Sequence, residues 1–487
     1  MQVSETIRRY TARLRSDPVG SAGLLLLLGL AASAPLPLGG VMPEGTFRIQ
    51  LFAFLAAAAA VARRGKKAQQ PRAATVAAAC LLSLGLLGLL QLTPLPADLV
   101  HVLSPASARV YSGAAEVFAI SGAGQSPAPR LSIAPVETRG VALLAASTAA
   151  AFVAALGLLC SRKRRRLFAA TLLASMAVQA TWAATTEQES GRISGPFYNP
   201  DHFAGYLGLG LALAFGGLVF ALTGPARQRG PIHAEWLERR LAWAALGILL
   251  WGFFASSLAL THSRGGMLAA AATTLFLAVL ALWTRADRDR GNGLVPRATL
   301  FAGLGLGVLF VVAALGSRPL LRFLATDPRD LGEDARVLLW ATSIEAWKSY
   351  PVFGSGLGTF REAFRVVQPR ELAGLVENAH GDFLQLLVTG GALGALLGIV
   401  AWGSLALHFL RGAFLKISRE EGAFVFAGLG ALVSIALHGL VEFNLSIPAT
   451  SATLALVTGA AVAALRDAET RAGRGPASNG RATTAMP

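Results

Sequence analysis

Charge is what this 487-residue chain has least of: Asp, Glu, Lys and Arg make up 14% of it, against 54% hydrophobic residues. An ordinary soluble domain carries roughly a quarter charged residues, so that class is excluded. Cysteine is almost missing as well. Cys80 and Cys160 fall in different apolar runs, which rules out a disulfide framework and predicts two reduced thiols. Acids are scarcer than bases, 27 against 43, for a net charge of +16. Such an excess could suit nucleic acid, but the placement of the bases argues otherwise.

What is there in abundance is apolar sequence in long runs. A spanning helix needs about 20 such residues, and twelve runs qualify, at roughly 20–38, 47–62, 73–92, 140–160, 167–184, 203–223, 241–260, 265–284, 298–316, 386–410, 423–441 and 447–465. The expected fold is an all-α polytopic membrane protein with about twelve transmembrane helices. Its parts would be a cytoplasmic N-terminal segment (1–19), spans one to nine (20–316) with an outer loop at 93–139, a large helical outer loop (317–385), spans ten to twelve (386–465) and a disordered cytoplasmic tail (466–487). Ala32-Ser33-Ala34 after the first run resembles a signal-peptidase site, but Pro35 follows at once, and an uncleaved signal-anchor is expected.

With the N-terminus inside, 29 of the 43 Lys and Arg lie in inner segments, including the runs at 63–67 and 161–166, and six lie in short outer loops. This is the positive-inside pattern, and it places both termini in the cytoplasm. Topology accounts for the basic runs, so no nucleic-acid partner is expected. The remaining eight bases fall in 317–385, which the parity of the spans puts outside.

The outer segments hold the candidate chemistry. In 332–349, Arg336, Leu339, Trp340, Ser343 and Trp347 share one helical stripe, with Asp334, Glu345 and Lys348 opposite. An arginine aligned with two tryptophans is unusual for a solvated charge. After the glycines at 354, 356 and 358, Asn378 reads as an N-cap, which puts His380 in the first turn of the next helix. The glycines suit a tight turn and not a nucleotide loop, since no strand precedes them. At 185–202, Arg192, Asn199 and His202 can line a polar outer site, although Asn199 before Pro200 also reads as plain capping. Arg264 sits in a very short outer turn, Thr261 to Gly266, where a lipid-facing arginine is the simpler alternative. The proline-rich loop 93–139 is expected to hold short helices at best, with Tyr111, Phe118 and Arg130 available to sugars.

Taken in order, GPFYNPDHFAGYL (195–207), SRGG (263–266), Arg336 to Trp340, YPVFGSGLGTF (350–360), HGDFLQLLVTGGALG (380–394) and HGLVEFNLSIPAT (438–450) resemble the O-antigen ligase and polymerase superfamily. The likeness covers about 190–450; earlier residues match in pattern only, and Asp201 stands where Asn is common. The resemblance implies a glycosyltransferase at the outer face of the bacterial inner membrane. It would move a glycan from a polyprenyl-diphosphate carrier to an acceptor hydroxyl on a glycan or on lipid A-core.

On that reading Arg336, Arg264 and His380 are the catalytic candidates, and Arg192, Asn199, His202, Trp340 and Asp382 the substrate-binding ones. Arginine forks grip phosphate oxygens in two-pronged fashion and keep their charge. They can stabilise a diphosphate leaving group without a metal, and no cofactor is expected. A neutral His380 can take the acceptor's proton, with Glu377 or Asp382 to orient it. Polymerisation of O-antigen or exopolysaccharide is slightly favoured over ligation or protein glycosylation, because two outer loops offer a long sugar surface. Membrane lipids, a flippase and a chain-length regulator would be neighbours. A twelve-span transporter or flippase is the rival class. The missing midplane charges and the lack of a visible repeat speak against it.

Overall fold

The computed structural model describes residues 17–63, 69–122, 124–186, 191–222, 234–286, 335–372 and 374–472. Within them every regular element is helical. The ninth expected span (298–316), the acidic residues from Asp327 to Asp334 and the tail beyond 472 lie outside the described residues.

Ten of the described helices are long and apolar enough to cross a membrane. They are α2 (Pro43–Ala62), α3 (Arg72–Leu92), α6 (Pro135–Leu158), α7 (Arg162–Thr185), α8 (Pro200–Leu222), α9 (Ala234–Leu260), α10 (Arg264–Ala286), α13 (Asp382–Phe414), α14 (Arg419–His438) and α15 (Pro448–Ala472). The first expected span is shorter than its apolar run: α1 (Pro18–Ser33) stops before Pro35 and Pro37, which cannot continue a helix. Between the spans lie α4 (Ala97–Leu103), α5 (Pro105–Ser121), α11 (Ala335–Ser349) and α12 (Phe360–Arg365). The chain is a multi-pass membrane protein.

Small residues set the packing. α8 and α15 are Gly- and Ala-rich and buried along nearly their whole length, and α14 lies against both. Helices in lipid gain little from the hydrophobic effect among themselves, so close backbone approach over small side chains holds them together.

The end of the bundle where α7 and α14 begin is sewn with ion pairs. Asp17 caps α1 through the Gly20 amide and pairs with Arg63 (2.6 Å) and Arg164 (3.2 Å). Arg165, fully buried, reaches Asp467 at 2.7 Å and the Leu159 carbonyl at 3.1 Å. Glu420 takes Arg166 at 2.6 Å, and Glu421 takes Arg162 and Arg471. Arg63 also donates to the Cys160 sulfur at 3.0 Å. Both cysteines are free thiols.

The opposite end carries a second, smaller core. Leu339, Ala346, Tyr350, Phe360, Phe364, Ala379 and Val388 are buried there, with Trp340 and Trp347 packed against them. Phe360 and Phe364 stack at 5.2 Å. This core joins α11 and α12 to the start of α13.

A broken helix fixes that core to the bundle. At Gly391, φ 65 and ψ −168, α13 loses its helical path. The glycine loop fills the break. Ser355 and Gly356 amides donate to the carbonyls of Val388 and Thr389, while Ala392 and Leu393 amides donate to Pro351 and Val352. A Cβ on Gly354 would come within 2.2 Å of the Thr389 oxygen, and one on Gly391 within 2.3 Å of the Val352 oxygen. Gln91, buried at the end of α3, donates to the carbonyls of Phe353 and Thr389 and accepts from the Leu357 amide. The loop therefore repairs a membrane helix, since a freed backbone group in an apolar layer needs a partner.

The segment 93–139 departs from expectation. It contains the 17-residue α5, and it docks inward. Tyr111 is buried, with its hydroxyl on the Ser132 carbonyl at 2.9 Å, and burial pushes its phenol pKa up. Arg130 donates to the Leu92 carbonyl at 2.8 Å. Both are spent on backbone carbonyls, Tyr111 within the loop and Arg130 at the end of α3.

Candidate functional site

Three turns meet at the end of the bundle that carries the second core. The first enters α8: the Asn199 side chain accepts from the Asp201 amide at 2.8 Å and Pro200 opens the helix. Asn199 thus acts as a cap, the plainer of the two sequence readings. The second, Thr261 to Arg264, reverses the chain between α9 and α10. The Ser263 hydroxyl accepts from the Gly266 amide at 3.2 Å and so caps α10. Gly265 lets that start lie close, since a Cβ there would sit 2.7 Å from Val441 and 3.3 Å from His438. The third turn leads into α13.

That third turn corrects the expected cap. α13 begins at Asp382 with Gly381 before it, and Asn378 does not cap it. Instead Gln385 reaches back, accepting from the Ala379 amide at 2.8 Å and donating to the Asn378 side chain at 3.2 Å. His380 therefore lies just ahead of the helix, with φ 44. A positive φ is uncommon for a residue with a Cβ. Among the described residues only Leu38, His262 and His380 share it without being glycine, and two of those three are here. Backbone strain of this kind persists where surroundings over-determine it, often at functional sites.

A cavity of about 370 Å³ opens beside the first two turns, lined by Arg192, Asp201, His262, Arg264, Arg336, His438 and Glu442 among others. The structure thus brings together all three arginines singled out in the sequence, from segments far apart in the chain. Arg264 and Arg336 are exposed at its wall, and Arg192 is half-buried. Arg192 pairs with Asp201 at 2.8 Å, the residue that departs from the common Asn.

His380 is joined to the cavity wall through a residue the sequence reading missed. Its Nδ1 lies 2.9 and 3.2 Å from the two carboxylate oxygens of Glu442. Glu442 is buried at 3% exposure, whereas the His380 side chain is 38% exposed. With Nδ1–H held by the carboxylate, Nε2 is the basic nitrogen. Phe443 stands edge-on to both His380 (5.3 Å) and His202 (4.5 Å).

The remaining candidates take other places. Asp382 is buried at the start of α13; its Oδ1 accepts from the Leu445 amide at 2.8 Å, and its own amide donates to the carbonyls of Gly439 and Glu442. It ties α13 to the 439–445 turn and does not orient the histidine. Glu377 is exposed. Trp340 packs on the second core, its indole nitrogen buried without an acceptor among the described residues. His202 is buried behind Phe443. His438 is buried yet contributes to the cavity wall.

No curated protein matches the chain. The family described as O-antigen ligase matches residues 248–399, the stretch that holds Arg264, Arg336, the glycine loop and His380. The chain's resemblance to the O-antigen ligase and polymerase superfamily is thus borne out on a segment that supplies part of this site, with Arg192, Asp201, His438 and Glu442 lying outside it.

Proposed function

We propose that this protein transfers a glycan from a polyprenyl-diphosphate carrier to an acceptor hydroxyl at the outer face of the bacterial inner membrane. Both termini would then lie in the cytoplasm. The observation that carries the reading is the cavity in which Arg264 and Arg336 face the wall formed by Glu442, the carboxylate that holds His380.

The acceptor oxygen attacks the anomeric carbon of the donor sugar. As that bond forms, the bond from the anomeric carbon to the diphosphate oxygen breaks, and the electron pair leaves with the diphosphate. Two planar guanidinium groups suit that leaving group, because their forks match phosphate oxygens and stay charged. His380 Nε2 accepts the hydroxyl proton, and Glu442 stabilises the imidazolium that results. A buried carboxylate plays the same part for the histidine in a serine-protease triad.

Fork geometry, beyond charge, is what the reading demands of Arg336. In a transfer assay with purified protein, lipid-diphosphate glycan and acceptor, Arg336→Lys should lose nearly as much activity as Arg336→Ala, and EDTA should leave the wild type active. Full activity in the lysine variant, or strict dependence on an added divalent cation, would count against the leaving-group role.

A further inference from the structure

We propose that Arg192 is a positioning residue: with Asp201 it forms a strap that fixes the turn presenting Arg264, and it is not itself a ligand of the donor. The proposal rests on the donor reading above. Two nitrogens of Arg192 are engaged within the protein. Nε donates to the Thr261 carbonyl at 2.8 Å, and Nη2 donates to Asp201 Oδ1 at 2.8 Å. The Ile193 amide also donates to the Leu260 carbonyl at 3.2 Å, so this segment lies along the end of α9.

The turn so held is one that needs holding. His262, next to the strapped carbonyl, has φ 53. The Thr261 hydroxyl donates to the Leu258 carbonyl at 2.6 Å and accepts from the Ser263 amide at 3.2 Å. Arg264 follows as the first residue of α10. A residue in the left-handed region keeps its place only where its neighbours enforce it. The strap supplies such enforcement at Thr261, three residues before Arg264.

Its other anchor is equally fixed. Asp201 sits in the first turn of α8, where the helix dipole favours a carboxylate. Its amide is held by the Asn199 side chain. α8 is among the most buried helices, so the pair ties the Arg264 turn to the rigid interior. A phosphate approaching Arg192 would meet the Asp201 carboxylate already seated on the same guanidinium.

The experiment is a binding titration of the purified full chain in detergent with polyprenyl diphosphate lacking any glycan. Wild type is compared with Arg264→Ala, Arg192→Ala, Asp201→Ala, the 192/201 double variant and Asp201→Asn. Each alanine variant at 192 or 201 should bind about tenfold more weakly, the scale of one charge-assisted hydrogen bond. The double variant should be no weaker than either single one, because the two residues act as a unit. Asp201→Asn keeps an accepting oxygen and should recover most of the affinity. The proposal is overturned if Asp201→Ala binds as well as wild type, or better, while Arg192→Ala binds worse; Arg192 would then contact the donor itself. Additive losses overturn it too. Wild type binding polyprenyl diphosphate no better than Arg264→Ala would be a separate result, and it would overturn the donor reading on which the strap depends. Thermal unfolding of each variant separates a lost strap from a lost fold, and the Asp201→Ala result decides the matter even where Arg192→Ala does not survive purification.

Discussion

Where α14 begins, arginines are bound across helices to carboxylates: Arg166 to Glu420, Arg162 and Arg471 to Glu421, and buried Arg165 to Asp467. Where α14 ends, Arg264 and Arg336 line a cavity, and among the described residues its wall also holds Asp201, paired with Arg192, and Glu442, paired with His380. The same side chain thus serves two purposes in one bundle. At the first end the ion pairs tie helix to helix, and the product is cohesion. At the second, cationic groups border a space large enough for a ligand, with a histidine held to its wall. Location relative to a cavity, and not arginine as such, sets the two ends apart.

Mutations should break this comparison in a graded way. The largest effect is expected at His380. His380→Ala should lower transfer by about 100- to 10,000-fold, the usual worth of a general base, with little change in protein level or donor affinity. Retention of roughly a tenth of wild-type activity would make His380 a structural residue on that scale.

Glu442→Gln comes next. An amide can still contact the ring, but it no longer offsets the charge His380 gains. Turnover should fall by about 10- to 100-fold, by analogy with the groups that orient a ligand or base histidine. Donor affinity should hold. A variant with wild-type turnover would detach Glu442 from the chemistry.

The smallest effect belongs to the other end. Arg166 is 63% exposed on its side chain, so its pair with Glu420 is screened. Arg166→Ala should cost about 1 kcal/mol of stability or less. Transfer by the folded protein should stay within about twofold, since surface changes of this size seldom reach a distant site. A large loss of turnover without a loss of stability would mean that the two ends are coupled.

How far the sequence foresaw this depends on the range of the signal. Spanning helices are written in local hydropathy, and all but the ninth of the expected spans correspond to a described helix, the first as a shorter one. Arg264 stood out because it sits in a very short outer turn and Arg336 because it shares a helical stripe with two tryptophans, and the cavity gathers both. Glu442 did not stand out. A single acid in the run from His438 to Thr450 looks like any loop charge, and only tertiary folding brings it to His380. The cap before α13 went wrong for a similar reason. Asn378 has the right chemistry, but Gln385 bonds back to that turn and moves the helix start to Asp382. Tyr111 was misplaced because an aromatic in a proline-rich loop reads as exposed, while here its hydroxyl serves a backbone carbonyl.

The repaired break in α13 has a mechanical consequence. Four amide-to-carbonyl bonds join the glycine loop to the broken helix, and Gln91 adds contacts from α3. Raising the loop would strand these groups in an apolar layer, at a cost of several kcal/mol for each one left unmet. The loop is therefore a fixed hinge-pin and not a door. α11, which carries Arg336, leads directly into it, and His380 stands just ahead of α13 on its far side, so both are referred to the same immovable point. Any movement that admits a ligand must be accommodated elsewhere along the cavity's rim, while the spacing between Arg336 and His380 stays constant.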